Sequence, residues 1–298
     1  MTALQNKRLF CFGCGYSARV FAGRLARRGV AVAGTARTQE KMAALREAGI
    51  VPFLFGDGRP LADPEAALAG TTHLLISVPP GAAGDPVLAA HGDALKEIAH
   101  RIEWAGYLST TGVYGDRQGG WVNEETPLDP AVARSNRRAA AEAAWTSFAG
   151  ETGLPLHIFR LAGIYGPGRN PLQGVMAGTA KRILKEGQIF SRIHVDDIAA
   201  VLEASMARPR PGGVYNVCDD EPAPAHEVVA YAAALLGREA PPAIPFEEAD
   251  LSPMARSFYM ASRRVSNARI REELGVKLTY PSYREGLTAL MTALLKTM

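Results

Sequence analysis

Apolar runs of strand length alternate along the chain with amphipathic stretches of helix length. Leu9–Phe12 comes first, followed by a helix over Ala18–Arg28, a strand over Val30–Thr35, a helix over Gln39–Ala48 and a strand over Val51–Phe55. The rhythm continues through His73–Val78, a helix over Pro86–Arg101, a strand over Trp104–Ser109, a helix over Arg134–Gly150 and a strand over Leu156–Arg160. Strands that alternate with helices pack as a parallel sheet covered on both faces. Such strands read as near-continuous apolar runs because neither face meets water. The predicted fold class is therefore α/β, a doubly wound parallel sheet.

Past Arg160 the rhythm loosens into a Gly/Pro-rich loop over Gly163–Pro171, a helix reaching Glu186 and a strand-like piece over Gln188–Val195. A helix over Asp196–Ala207, a strand over Val214–Val217 and a mostly helical remainder complete the chain. Gly and Pro gather at 209–213 and 221–224, where they mark turns rather than a linker.

Composition narrows the class further. The 298 residues are 47% hydrophobic and 21% charged, as in an ordered globular chain. Thirty-three Lys and Arg stand against 30 Asp and Glu, a balance that argues against a nucleic-acid surface. No apolar run approaches a membrane span or a signal peptide, so the expected location is cytoplasmic. Three cysteines cannot complete a disulfide framework, and the Cys11/Cys14 C-x-x-C has no second pair to make a metal site. No metal is expected.

The chemistry begins where the first strand ends, at Gly13, Cys14, Gly15, Tyr16, Ser17 and Ala18, a G-x-G-x-x-A at a strand-to-helix turn. Gly13 allows the tight turn, Gly15 lets backbone approach a pyrophosphate, and Ala18 lets helix and strand pack closely. That context makes the sheet a Rossmann-type dinucleotide-binding domain over residues 1–165 and 188–222. Residues 166–187 and 223–298 are left as a smaller, mostly helical substrate lobe. NAD sites usually offer Asp or Glu about 20 residues on, at the end of the second strand. Here Thr35 and Arg37 occupy that end, and a hydroxyl with a guanidinium suits the 2′-phosphate of NADP. NAD stays open beside it. Asp57 after the third strand and Ser77, Val78 and Pro79 after the fourth lie at the same binding edge.

Four further segments follow in order: Ser109 to Gly115 (STTGVYG), Phe159 to Arg169 (FRLAGIYGPGR), Arg192 to Ala199 (RIHVDDIA) and Tyr215 to Asp219 (YNVCD). With them the chain resembles the extended short-chain dehydrogenase/reductase superfamily, in its NAD-dependent epimerase/dehydratase group. The resemblance implies that Thr110 bonds the reacting oxygen. It also implies a Tyr proton donor followed four residues later by a Lys, and those positions hold Arg134 and Arg138 here, which makes this an atypical member. Arg138 remains a candidate for the ribose hydroxyls, but a guanidinium with a pKa above about 12 does not shuttle protons at neutral pH. A basic helix end in solvent is the alternative for both arginines.

Tyr114 is the substitute catalytic candidate beside Thr110, and Tyr165, Arg134, Arg169 and Arg263 are candidates to hold substrate. Nearby guanidinium groups would depress a tyrosine pKa. His194 and Asp197 lack a third ligand and are expected to position the sheet edge. Two functions stay open: an NADP-dependent oxidoreductase, reductase-like or epimerase/dehydratase-like, for a small and anionic substrate, or a catalytically silent NADP-binding sensor or partner-binding protein. The expected partner is a small molecule, with neither nucleic acid nor membrane, and a homodimer is left open.

Overall fold

The computed structural model describes residues 6–56 and 58–296. The first strands and helices alternate as β1 (Arg8–Phe12), α1 (Tyr16–Arg27), β2 (Ala31–Ala36), α2 (Gln39–Glu47), β3 (Val51–Leu54), α3 (Pro64–Leu68), β4 (His73–Ile76), α4 (Pro86–Ile98) and β5 (Trp104–Thr110). A long helix α5 (Ala133–Thr152) precedes strand Leu156–Leu161, and helix Val195–Ala207 precedes strand Val214–Val217. The seven strands form one parallel sheet in the order Val214–Val217, Leu156–Leu161, β5, β4, β1, β2, β3. The order reverses direction beside β1, the position at which doubly wound sheets bind their ligands.

Alternation along β1 sends Phe10 and Phe12 to one face, where they join Leu74, Ile76, Tyr107 and Trp145 in a continuous core. Trp104 is fully buried, stacks on His157 at 5.9 Å and donates its indole N–H to Ser205 Oγ at 3.0 Å. Side chains of Thr38, Asp63 and Asp85 cap α2, α3 and α4 by accepting backbone N–H bonds.

The chain forms two compact units. One comprises the described residues up to Thr110, with Asn136–Arg160 and Ile198–Tyr215; the other comprises Thr111–Ser135, Leu161–Asp197 and the described residues from Asn216 onward. Residues 111–135, 161–165, 188–197 and 216–222, expected with the sheet, thus cluster with the smaller unit. That unit is built on two-strand parallel pairs rather than on helix alone: Gly163–Tyr165 with Arg192–His194, Arg182–Leu184 with Ala243–Pro245, and Trp121–Val122 with Arg264–Val265. Tyr165, Leu172, Val228, Ala232, Tyr283 and Leu287 make its core.

Local departures from the sequence pattern have local causes. The helix expected to reach Glu186 stops at Met176, because Gly178 turns with φ 69° and the N–H groups of Thr179 and Ala180 return to Gly174 O. Strand Arg182–Leu184 follows instead. The five-residue α3 is too short to register as a helical period.

Candidate dinucleotide site and its companion residues

Backbone geometry shapes the turn after β1. Gly13 has φ 79°, and a Cβ there would lie 2.8 Å from Val78 Cγ2 and 2.9 Å from Val78 N. Only glycine brings β1 this close to the loop after β4. Ser77 N–H donates to Phe12 O at 2.8 Å and fixes that loop. Ala18 and Ser17 are buried where α1 meets the sheet, and Tyr16 is half-buried. Gly15 is different: a Cβ there would find no neighbour nearer than Gly13 O at 3.9 Å. Open space therefore stands over the start of α1, which has no side-chain cap and no acidic residue in its first turn. A capless helix start beside an open glycine fits an anionic pyrophosphate.

Thr35, expected with Arg37 at the 2′-phosphate, is 2% exposed, and its Oγ1 accepts the Gly13 N–H at 2.7 Å while its carbonyl accepts from Cys14 N–H at 2.9 Å. Its hydroxyl props the glycine turn. Arg37 is exposed at the strand end, and Gly56, with φ 121°, leaves room for its stem: a Cβ on Gly56 would sit 2.9 Å from Arg37 Cγ. Arg59 donates to Arg37 O at 3.4 Å, so a second guanidinium joins the same rim. Asp57 lies outside the described residues.

At the end of β5, Arg138 reaches back from α5. Its Nη1 donates to Tyr107 Oη at 3.1 Å and to Leu108 O at 3.0 Å, neither of which is a solvent contact. One turn further along α5, buried Glu142 accepts from Ser109 Oγ and pairs with Arg160 at 2.8 Å. Both members of that pair are under 8% exposed. Burial pushes the Tyr107 hydroxyl up to about 12, against the opposing pull of Arg138. The i, i+4 spacing puts Glu142 on one helix face with Arg134 and Arg138, and Ser109 and Arg160 lie in the family-like segments, but no role for Tyr107, Ser109, Glu142 or Arg160 is readable from the sequence; a Glu four residues after Arg138 facing a mid-strand Arg is the available signal.

In the second unit, Tyr114 is fully buried and donates to Asn216 Oδ1 at 2.8 Å, a structural bond where a proton donor was expected. Tyr165 is also buried and donates to Ser282 O at 3.2 Å. Burial, reinforced by Asp219 and Asp197, pushes its pKa up, opposite to the expected depression by arginines. Asp197 accepts the N–H groups of Thr279 and Tyr280 at 2.7 and 3.0 Å, and His194 Nδ1 accepts that of Asp196. Both are positioning contacts. Arg169 is exposed in a tight Gly166–Arg169 turn. Arg134 lies 3.7 Å over the Phe258 ring. Arg263 Nη1 donates to Gly115 O at 2.6 Å, while its Nε is buried without a partner among the described residues. Burial, with Arg134 among the neighbouring charges, lowers the Arg263 pKa to about 10, opposed by Asp116. Of these guanidinium groups, Arg263 keeps one buried donor, Nε, for a further partner.

A doubly wound sheet carrying a glycine turn at its switch point defines a dinucleotide-binding class, and comparison with known proteins agrees. Residues 93–218 match the model of the NAD dependent epimerase/dehydratase family. Protein YeeZ of Escherichia coli K12 is 31% identical over 288 residues, 92% of this chain and 97% of that one. The solved structure of a functionally unknown conserved protein from Silicibacter pomeroyi has a TM-score of 0.88 and 54% identity, covering 97% of this chain and 99% of the other. A 3-diazoavenalumate denitrifying reductase from Streptomyces is 32% identical over 184 residues, 56% of this chain and 58% of that protein. Over residues 93–218 the chain carries the NAD dependent epimerase/dehydratase family match, and over nearly its whole length it is a relative of protein YeeZ. Among the described residues, no helix is long and apolar enough to cross a membrane.

Proposed function

We propose that the chain is an NADP-dependent reductase acting on a small, anionic substrate. The observation that carries this reading is the capless start of α1 beneath the open Gly15, followed at the end of β2 by Arg37 where a carboxylate would select NAD. Gly13 to Ala18 would hold the pyrophosphate, Arg37 with Arg59 the 2′-phosphate, and the Ser77–Pro79 loop the adjoining ribose. The cofactor, when bound, supplies a hydride. Thr110 would bond the reacting oxygen, the role that the family resemblance gives it, and Arg134 and Arg263 would supply the positive charge for a substrate carboxylate or phosphate. The Streptomyces reductase supports the reaction class.

Neither Arg134 nor Arg138 can donate a proton at neutral pH, and the hydroxyls of Tyr114 and Tyr165 are bonded inside the second unit. The chemistry therefore favours acceptors that take hydride without an acid from the protein. The same observation favours a second reading, an NADP-binding protein without turnover.

Calorimetric titration with NADPH and NADH tests the cofactor. Losing a charge-assisted contact costs about 1.5–3 kcal/mol, so Arg37→Ala should weaken NADPH by roughly tenfold or more and leave NADH unchanged. Equal wild-type affinities would sink the assignment. Oxidation of NADPH across a panel of anionic carbonyl and diazo compounds separates the two readings: turnover that falls in Arg263→Ala, with NADPH affinity intact, supports the reductase. Tight NADPH binding with no turnover on any of them supports the silent protein.

A further inference from the structure

Within the second unit, a pocket of about 390 Å³ opens between strand Trp121–Val122 and helix Ala268–Glu272, with Asp219, Asp220 and Asn267 on its wall. The volume falls in the range of small-ligand sites. Trp121 is 63% exposed, which is unusual for an indole. Asp219 is the opposite case: it is 1% exposed, neither carboxylate oxygen has a hydrogen-bond partner of normal geometry among the described residues, and the Arg192 charge with the backbone of Arg192 and Glu221 offsets its burial only in part. A buried carboxyl group without a partner is expensive for a fold to keep.

The other charges define what would relieve it. Asp220 Oδ1 already accepts from Asn267 Nδ2 at 2.7 Å and from Arg271, and Arg271 also donates to Asn267 Oδ1 at 2.8 Å. Arg271 is thereby engaged, and among the described residues it is the one cation lining the wall. Exposed Glu272 and the ionisable carboxyl group of Asp219 remain, so the pocket offers acidic groups beside an indole face. No cluster of His, Cys, Asp and Glu suited to a metal ion occurs among the described residues. An aromatic face with carboxylates instead suits a weakly hydrated organic cation.

We propose that this pocket binds a small alkylammonium compound, its cationic head against the Trp121 ring and Asp219. The inference does not depend on the reductase reading. It also carries a pH signature. Burial lifts Asp219 to about 8, with Asp220 adding to the rise and Arg192 opposing it. Tyr165 and Cys218 face it as well, each held neutral by burial. A bound cation favours the carboxylate form, so binding at pH 7 releases a proton and affinity rises as pH passes through 8.

The test is calorimetric titration of the full chain with choline and with its neutral isostere 3,3-dimethyl-1-butanol, at pH 6.5 and 8.5. Choline should bind at least about tenfold more tightly than the alcohol, and roughly tenfold more tightly at the higher pH. Trp121→Ala and Asp219→Asn should each weaken choline at least about tenfold at pH 8.5, and only the second should abolish the pH dependence. A cooperative unliganded melt certifies the fold of each variant, with that of Trp121→Ala matching the wild type. Equal binding of alcohol and choline, an undiminished affinity in Trp121→Ala, or no choline binding at 10 mM (about the weakest useful range) would overturn the proposal. Glucose binding in place of choline would reassign the pocket to a neutral polyol and overturn it equally.

Discussion

Gly13 and Gly15 stand two residues apart and predict opposite phenotypes. Gly13→Ala forces a left-handed backbone onto alanine and drives its Cβ into Val78 N, which should destabilise the fold by about 1–3 kcal/mol as well as weaken cofactor binding. Gly15→Ala meets no protein atom within 3.8 Å and has φ −80°, so its unliganded melt should match the wild type while the NADPH-induced shift disappears. A retained shift would reduce the loop to a turn. Asp219 gives a third residue-scale outcome. Its folded pKa is raised from 3.8 to about 8 by burial, so the folded chain binds more protons than the unfolded one between those values, and stability falls as pH rises through that window. Melting temperatures between pH 5 and 9 should flatten in Asp219→Asn. The glycines were legible because their chemistry is local. The Thr35 bond to Gly13 was not, since the register of β1 against β2 decides it, and that register is absent from a linear pattern.

Helix α5 is tied to β5 by polar contacts rather than by apolar packing alone. Arg138 grips Tyr107 and Leu108, and Glu142 grips Ser109 and Arg160. Removing one partner of a buried pair leaves the other uncompensated, so Glu142→Ala should lower unfolding free energy in urea by about 3–5 kcal/mol. Glu142→Leu combined with Arg160→Met should recover most of the loss; a double variant as unstable as the single one would mean that the pair is not what holds these elements. The seven sheet strands and their long helices were readable from apolar periodicity because burial on both faces writes a strong signal. The short strand pairs of the second unit were not, since two or three residues carry no period. Strand Arg182–Leu184 reads in the sequence as the end of a helix for that reason, and the left-handed turn at Gly178 is the mark that separates the two. The site was legible in the same proportion: the glycine loop and Arg37 stood out by spacing, whereas the buried roles of Tyr114 and Tyr165 follow from partners about 100 residues distant.

The sheet unit is assembled from three separated stretches of chain. A fragment ending at Thr110 keeps β1 to β5 but lacks strands Leu156–Leu161 and Val214–Val217 and helix α5. It would expose Trp104, whose indole loses both His157 and Ser205. Such a fragment should show no cooperative melt and a red-shifted tryptophan emission; a sharp transition with buried fluorescence would show that the five-strand core suffices. In the whole chain, NADPH at 100 times its Kd should stabilise the sheet unit by about 2.7 kcal/mol, read as a rise in its melting temperature. The strand order also sets a timetable on the ribosome. Neighbours β1, β2 and β3 leave the exit tunnel early and can pair at once, whereas the strand that closes the opposite edge, Val214–Val217, emerges only after much of the smaller unit has been synthesised. Throughout that interval the nascent sheet carries an unsealed border, a ready template for a neighbouring chain on the same polysome. Slowing translation between codons 160 and 214 should therefore raise the aggregated fraction of newly made protein, and chaperone occupancy should peak in that span.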